Sequence, residues 1–106
     1  MLDFLIPYHH IEIMGRCENN RNLVGKWFNG LFVTLQERQV CNRFQMDQLL
    51  SEVQILKNIR HPNLEMHLGV TYTIQHEEDD DKNITYRFYM ITENIELQHH
   101  HQQSND

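Results

Sequence analysis

No apolar run in these 106 residues approaches the length of a membrane span, so no membrane-buried helix is expected. The opening Met1-Leu2-Asp3-Phe4-Leu5-Ile6 lacks the basic flank and long apolar stretch of a signal peptide. Positive charge is scarce as well. Lys and Arg number 9 against 15 Asp and Glu, a formal net charge of −6 with His neutral. Phosphate-directed nucleic-acid binding needs a cationic surplus on one face, and no nucleic-acid partner is expected. Of the two cysteines, Cys17 and Cys41, neither sits in a metal-ligand spacing. They read as free thiols of a cytoplasmic chain.

What is present allows one small domain. The length leaves room for a single modest core, and the 40% hydrophobic content is enough to fill it. From Leu23 to Gln36 two apolar-rich runs flank Asn29-Gly30, which predicts a β-hairpin closed by a two-residue type I′ turn. From about Arg43 to Arg60, Met46, Leu49, Leu50, Val53, Leu56 and Ile59 fall at three- and four-residue spacings. That stripe predicts a helix, with Lys57 and Arg60 opposing the negative end of its dipole. Pro62 pushes His61 away from helical angles and stops it.

Leu64, Met66, Leu68, Val70, Tyr72 and Ile74 then alternate with less apolar residues, which predicts a strand with one buried face. A matching strand carries Ile84, Tyr86, Phe88, Met90 and Thr92 on one side. Between them, residues 76–83 read His-Glu-Glu-Asp-Asp-Asp-Lys-Asn, expected as a solvated hairpin loop, with a partner-binding role as the alternative. Beyond Leu97 the polar Gln-His-His-His-Gln-Gln-Ser-Asn-Asp predicts a disordered tail over 98–106, leaving 6–97 as the folded unit. His99, His100 and His101 could bind a metal only weakly there, since no rigid element sets ligand geometry. No metal site is expected. The order is strand, hairpin, helix, hairpin. It predicts an α+β fold: an antiparallel five-stranded sheet carrying one long helix.

This order, with Ser51-Glu52-Val53-Gln54-Ile55-Leu56-Lys57-Asn58-Ile59-Arg60-His61-Pro62-Asn63-Leu64 at its centre, resembles the N-terminal lobe of a protein kinase. The stretch resembles the αC helix and the corner that follows it. Ile6-Pro7-Tyr8-His9-His10-Ile11-Glu12-Ile13, Gly25-Lys26-Trp27, Leu68-Gly69-Val70 and Tyr89-Met90-Ile91-Thr92-Glu93-Asn94 extend the likeness. The group it resembles most is the tyrosine-kinase-like one, particularly Raf and the kinase suppressor of Ras.

The resemblance implies a nucleotide site made from a glycine-rich loop, a strand lysine and the helix glutamate. Gly15 matches the first loop glycine, while Cys17 and Asn20 replace the other two and bring side chains where backbone must approach phosphate. Asn20 could still take a left-handed conformation. Asn22 replaces the apolar residue expected over the adenine. Val33-Thr34-Leu35-Gln36 matches the lysine motif, so Gln36 stands at the lysine position and Thr34 at a small alanine's. A neutral amide can neither neutralise phosphate nor ion-pair with Glu52. Lys26 is the candidate replacement, or a solvated lysine. Glu52 could hydrogen-bond Gln36, or be an ordinary surface carboxylate. Thr92 would be the gatekeeper, with Glu93 and Ile95 offering hinge backbone groups to an adenine. No His-Arg-Asp or Asp-Phe-Gly pattern occurs, so no catalytic residue is intact. The resemblance therefore implies a degenerate, truncated lobe that binds protein, such as another kinase domain, through the helix. ATP and magnesium enter only if the nucleotide site is retained. The alternatives are one piece of a longer kinase, or a nucleotide-binding module.

Overall fold

The computed structural model describes residues 4–28, 30–77 and 80–104, with the side chains of 76–84 and 100–104 outside that description. A 3-10 turn at Tyr8–His10 leads into β1 (Ile11–Arg16), β2 (Leu23–Trp27) and β3 (Phe32–Arg38). Helix α1 (Arg43–Lys57) follows, then β4 (His67–Glu77), β5 (Asp80–Glu93) and helix α2 (Ile95–Ser104). The five strands form one antiparallel sheet in the order β1-β2-β3-β5-β4. The α+β class and the five strands are as the patterning predicts, and α2 is additional.

Two apolar clusters lie on the two faces of the sheet. On one face the cross-strand row Leu23, Leu35, Ile91 packs with Val33, Tyr89, Ile11 and Ile6. On the other, α1 lays Leu49 and Val53 over Val70 and Met90, with Phe4 completing the cluster. Phe4 is buried, so the packed unit begins before Ile6.

Helix α1 starts where its side chains can satisfy the first free amides. Asn42 Oδ1 accepts from the Gln45 N–H at 2.8 Å, and Gln45 Oε1 accepts from the Cys41 N–H at 2.6 Å. This Asn-x-x-Gln exchange is a capping box displaced by one residue. The helix ends at Lys57, a turn earlier than the apolar stripe predicts. Asn58 caps it, Nδ2 donating to the Gln54 carbonyl at 3.0 Å. The His61–Leu64 turn follows, with His61 Nδ1 accepting from the Asn63 N–H at 3.1 Å and the His61 carbonyl accepting from the Leu64 N–H at 3.1 Å.

The hairpin between β2 and β3 closes differently from the two-residue turn expected at Asn29-Gly30. The Trp27 N–H donates to the Leu31 carbonyl at 2.8 Å, and the Gly30 N–H to the Trp27 carbonyl at 2.7 Å. Three residues therefore lie between the closing pair, and Gly30 at φ 88° takes the left-handed position such a loop needs. Asn29 lies outside the described residues.

Strict alternation along β4 fails at its start. The register slips between His67 and Gly69, leaving Leu68 as the extra residue of a β-bulge. Leu68 consequently packs on the Ile6–Leu35 face while Val70 packs under α1. Leu64 and Met66 precede the strand and are exposed. The strands reach into the acidic run from both sides. The ladder is regular up to His76 opposite Ile84, and its register then shifts before the pair Glu77–Asp80. Ladder bonds are made by the main chain, so a charged sequence does not by itself end a strand. Residues 78 and 79 lie outside the described residues.

Candidate functional site

Glu52 sits in the middle of α1 on the side that faces β3. It meets Arg38, the last residue of that strand. Arg38 donates two hydrogen bonds to the carboxylate, at 2.7 Å and 3.1 Å, in the parallel fork that a planar guanidinium makes. The two side chains are 33% and 39% exposed. Solvent screening therefore limits the pair to about 0.5–1 kcal/mol. Neither alternative for Glu52 describes this arrangement. Its partner is a cation two residues beyond Gln36, on the same side of β3, while Gln36 is itself exposed. Sequence reasoning stopped at the lysine position and passed over Arg38. The available signal was the period of two, which puts residues 36 and 38 on one face.

Lys26 is not a substitute partner. Its ammonium lies over the Phe32 ring, 5.6 Å from the centroid, within cation–π range.

Beside the Arg38–Glu52 pair runs an open groove of about 720 Å³, lined by Val40, Phe44, Gln48 and Ile55 among others. Phe44 and Ile55 are 70% and 64% exposed. Phe44, Gln48, Ser51 and Ile55 follow at spacings of four, three and four, so they form one stripe on the outer side of α1. Its ends are about 16 Å apart at a rise of 1.5 Å per residue. The helix thus carries an inner apolar face in the core and, outside, two uncovered apolar side chains separated by Gln48 and Ser51.

The strand register brings some of the remaining site residues into line. Gly15 pairs with Val24, Val24 with Thr34, and Thr34 with Thr92, making one cross-strand row. Gln36 belongs to the row two residues along, opposite Met90. Glu93 pairs with Val33 and so points to the opposite face from Thr92. The Glu93 N–H is taken by the Met66 carbonyl at 2.9 Å. Ile95 opens α2 where an extended hinge is expected.

A local cap explains that helix. Asn94 Oδ1 accepts from the Leu97 N–H at 2.9 Å, and the Asn94 carbonyl accepts from the Gln98 N–H at 3.1 Å. Asn94 Nδ2 also donates to the Thr34 hydroxyl at 2.9 Å, and Gln98 Oε1 accepts from the Phe32 N–H at 3.2 Å. The start of α2 is thereby tied to the start of β3, and the helix runs on through residues expected to form a disordered tail. The side chains of His100 and His101 lie outside the described residues.

The loop between β1 and β2 is closed by the Cys17 N–H donating to the Asn22 carbonyl at 2.7 Å. Asn20 acts through its side chain, Oδ1 accepting from the Asn22 N–H at 3.1 Å. The left-handed residue is Arg21, at φ 62°, and its carbonyl accepts from Arg16 Nη1 at 3.0 Å. Side chains thus organise this loop, whereas a phosphate-cradling loop relies on bare glycine backbone.

Cys17 and Cys41 are free thiols. Among the described residues no group of three or more His, Cys, Asp or Glu side chains could hold a metal ion. Among them too, no helix is long and apolar enough to cross a membrane. No protein-family model matches the chain, and no curated protein matches it.

Proposed function

We propose that this chain is a degenerate kinase-N-lobe-like module that binds another protein through α1 and transfers no phosphate on its own. The observation that carries the binding half of this reading is the pair of exposed apolar side chains on the outer side of α1. Phe44 and Ile55 contribute nothing to the core and stand exposed beside a groove with a charged pair at its wall. Exposed apolar groups rimmed by polar ones are what a protein partner covers. The kinase-like half is supported by the single long helix between the third and fourth strands and by its carboxylate joined to a β3 cation. The partner this reading suggests is another kinase domain, cytoplasmic like the chain itself.

The non-catalytic half rests on chemistry. Gln36 brings no charge to the lysine position, and the β1–β2 loop carries side chains where phosphate would lie. The test is capture of purified Raf-like kinase domains by the intact chain. The expected result is micromolar binding, weakened about tenfold or more by the double substitution Phe44→Ser/Ile55→Ser at unchanged Tm. Charge reversal at the exposed Arg60 should weaken it further. No binding by the unmodified chain contradicts the reading.

One observation favours a second reading, a lobe that retains nucleotide. Arg38 supplies beside Glu52 the cation that Gln36 lacks. Thermal shift with ATP and magnesium separates the two. The interaction module predicts no shift, and a shift lost in Arg38→Met supports the nucleotide-binding alternative.

A further inference from the structure

The outer edge of β4 is covered over part of its length only. Phe4–Ile6 lies beside it in parallel, bridging Leu5 to Val70. The Val70 N–H donates to the Phe4 carbonyl at 2.9 Å, and the Ile6 N–H to the Val70 carbonyl at 2.8 Å. Both main-chain groups of Val70 therefore point outward, away from β5. Orientation alternates along a strand, so the N–H and C=O of Tyr72 and Ile74 point outward too. Nothing among the described residues bonds to them. The covering segment stops for a local reason: Pro7 follows Ile6 without an N–H to donate, and the chain turns into Tyr8–His10.

The open part also carries apolar surface. Tyr72, Ile74 and Tyr86 are 39%, 51% and 48% exposed. Their side is the one that α1 covers farther along, as the ring contacts Tyr72–Phe88 at 5.8 Å and Tyr72–Tyr86 at 6.1 Å indicate. A groove of about 660 Å³ runs along this edge between Leu5–His9 and Thr71–Ile74. Thr71 in its wall is fully buried, and its hydroxyl has no hydrogen-bond partner. Natural sheets blunt free edges with proline, lysine or a bulge. Thr71–Gln75 contains none of these, and the two register shifts of β4 lie outside it, at His67–Gly69 before and His76–Glu77 after.

We propose that the open edge of β4 takes up an extended peptide of a partner protein by strand addition, with apolar residues at alternate positions and a basic end. The basic end follows from charge. Glu77 ends β4 and Asp80 opens β5, and positions 77–81 read Glu-Glu-Asp-Asp-Asp. A strand laid along the edge has one end beside Glu77, the last residue of β4, where lysine or arginine gains and a carboxylate loses. The same charge disfavours a second copy of this chain, which would bring another −6 to the contact. Alternate peptide side chains would pack beside Tyr72 and Ile74, and the others against Pro7 and Tyr8 in the groove. This surface is separate from the outer stripe of α1, so the two readings stand or fall independently.

The test is fluorescence anisotropy of the full chain with a labelled peptide of alternating valine and threonine ending in lysines. Binding is expected, and a glutamate-ended version should bind about tenfold more weakly or worse, the gap narrowing as salt rises. N-methylating one alternate set of peptide amides should abolish binding, while methylating the other set should not, because only one set faces β4. Ile74→Pro blocks the edge without removing an internal ladder bond and should weaken binding about tenfold or more. Phe44→Ser/Ile55→Ser should leave it unchanged. Equal binding of the lysine- and glutamate-ended peptides overturns the proposal, as does equal tolerance of both methylation sets. Concentration-dependent dimerisation lost in Ile74→Pro would assign the edge to a second copy and overturn it as well. Should Ile74→Pro fail to fold, the methylated peptides decide the matter on the unmodified chain.

Discussion

Up to Thr71 and from Tyr72 onward, β4 pairs with the same neighbour, β5, yet the two halves meet different surroundings. The first half has α1 on one face, the Ile6–Leu35 cluster on the other and Phe4–Ile6 along its edge. The second half has β5 beside it and solvent on its edge. Val70 is 1% exposed and Ile74 is 51% exposed, four residues apart on one side of one strand. An apolar alternating pattern therefore marks a strand without saying whether anything covers it. Cover comes from separate pieces of chain, and here they run out partway along.

Breaking the closed half should have the largest effect. A Cβ at Gly69 would overlap the Phe4 carbonyl oxygen, which is backbone and cannot step aside cheaply. Gly69→Val should destabilise by about 3 kcal/mol, the upper range for overpacking, and detach Phe4–Ile6. Urea denaturation measures the loss, and rising amide exchange at Ile6 and Val70 reports the detachment.

Val70→Ala opens a cavity between α1 and the sheet and should cost about 2 kcal/mol. Ile74→Ala, the same kind of truncation in the open half, should stay within about 0.5 kcal/mol. Equal losses from these two variants would erase the contrast between the halves.

Glu52→Gln probes how α1 is held over the closed half. It breaks a bidentate but solvent-screened pair, so the cost should be about 0.5–1 kcal/mol and shrink in high salt. Arg38→Met should cost a similar amount, and the double variant should cost less than the sum of the two.

The smallest effect concerns pH at the junction of the halves, where Tyr8 stacks obliquely on Tyr89 at 6.2 Å between centroids. Burial raises the Tyr8 phenol above its ordinary value of 10.0, the Tyr89 phenol adds to the rise, and Arg16 opposes it. The folded chain therefore holds this proton more tightly than the unfolded one. The associated stability is present below the unfolded value near 10 and is lost as pH rises through the folded one. Tyr8→Phe should flatten the fall in Tm above about pH 10, measured against the unmodified chain.

Local signals in the sequence found the parts whose causes are local. Asn29-Gly30 marked a hairpin and the stripe from Met46 to Ile59 marked α1, although the helix ends at Lys57, a turn short of the stop expected at Pro62. What escaped depends on contacts distant in the chain or on caps read too lightly. The need for glycine at 69, beside the bulge at Leu68, comes from the backbone of Phe4, more than sixty positions earlier. Helix α2 rests on the Asn94 cap and its tie to Thr34, which composition alone read as the start of a polar tail. At the candidate site, Glu52 was legible as the notable helix carboxylate. Its partner was not, because the lysine motif ends at Gln36 while the pleat puts Arg38 on the same face two residues on.

Amide hydrogen exchange along β4 of the unbound chain tests the central contrast most directly. The N–H groups of Val70, Thr71 and Thr73 are bonded to Phe4–Ile6 or turned toward β5, whereas those of Tyr72 and Ile74 face solvent. The account predicts strong protection at Val70, Thr71 and Thr73 and fast exchange at Tyr72 and Ile74, slowing when the basic peptide is added. Protection of Tyr72 and Ile74 equal to that of Val70 in the free chain would contradict it.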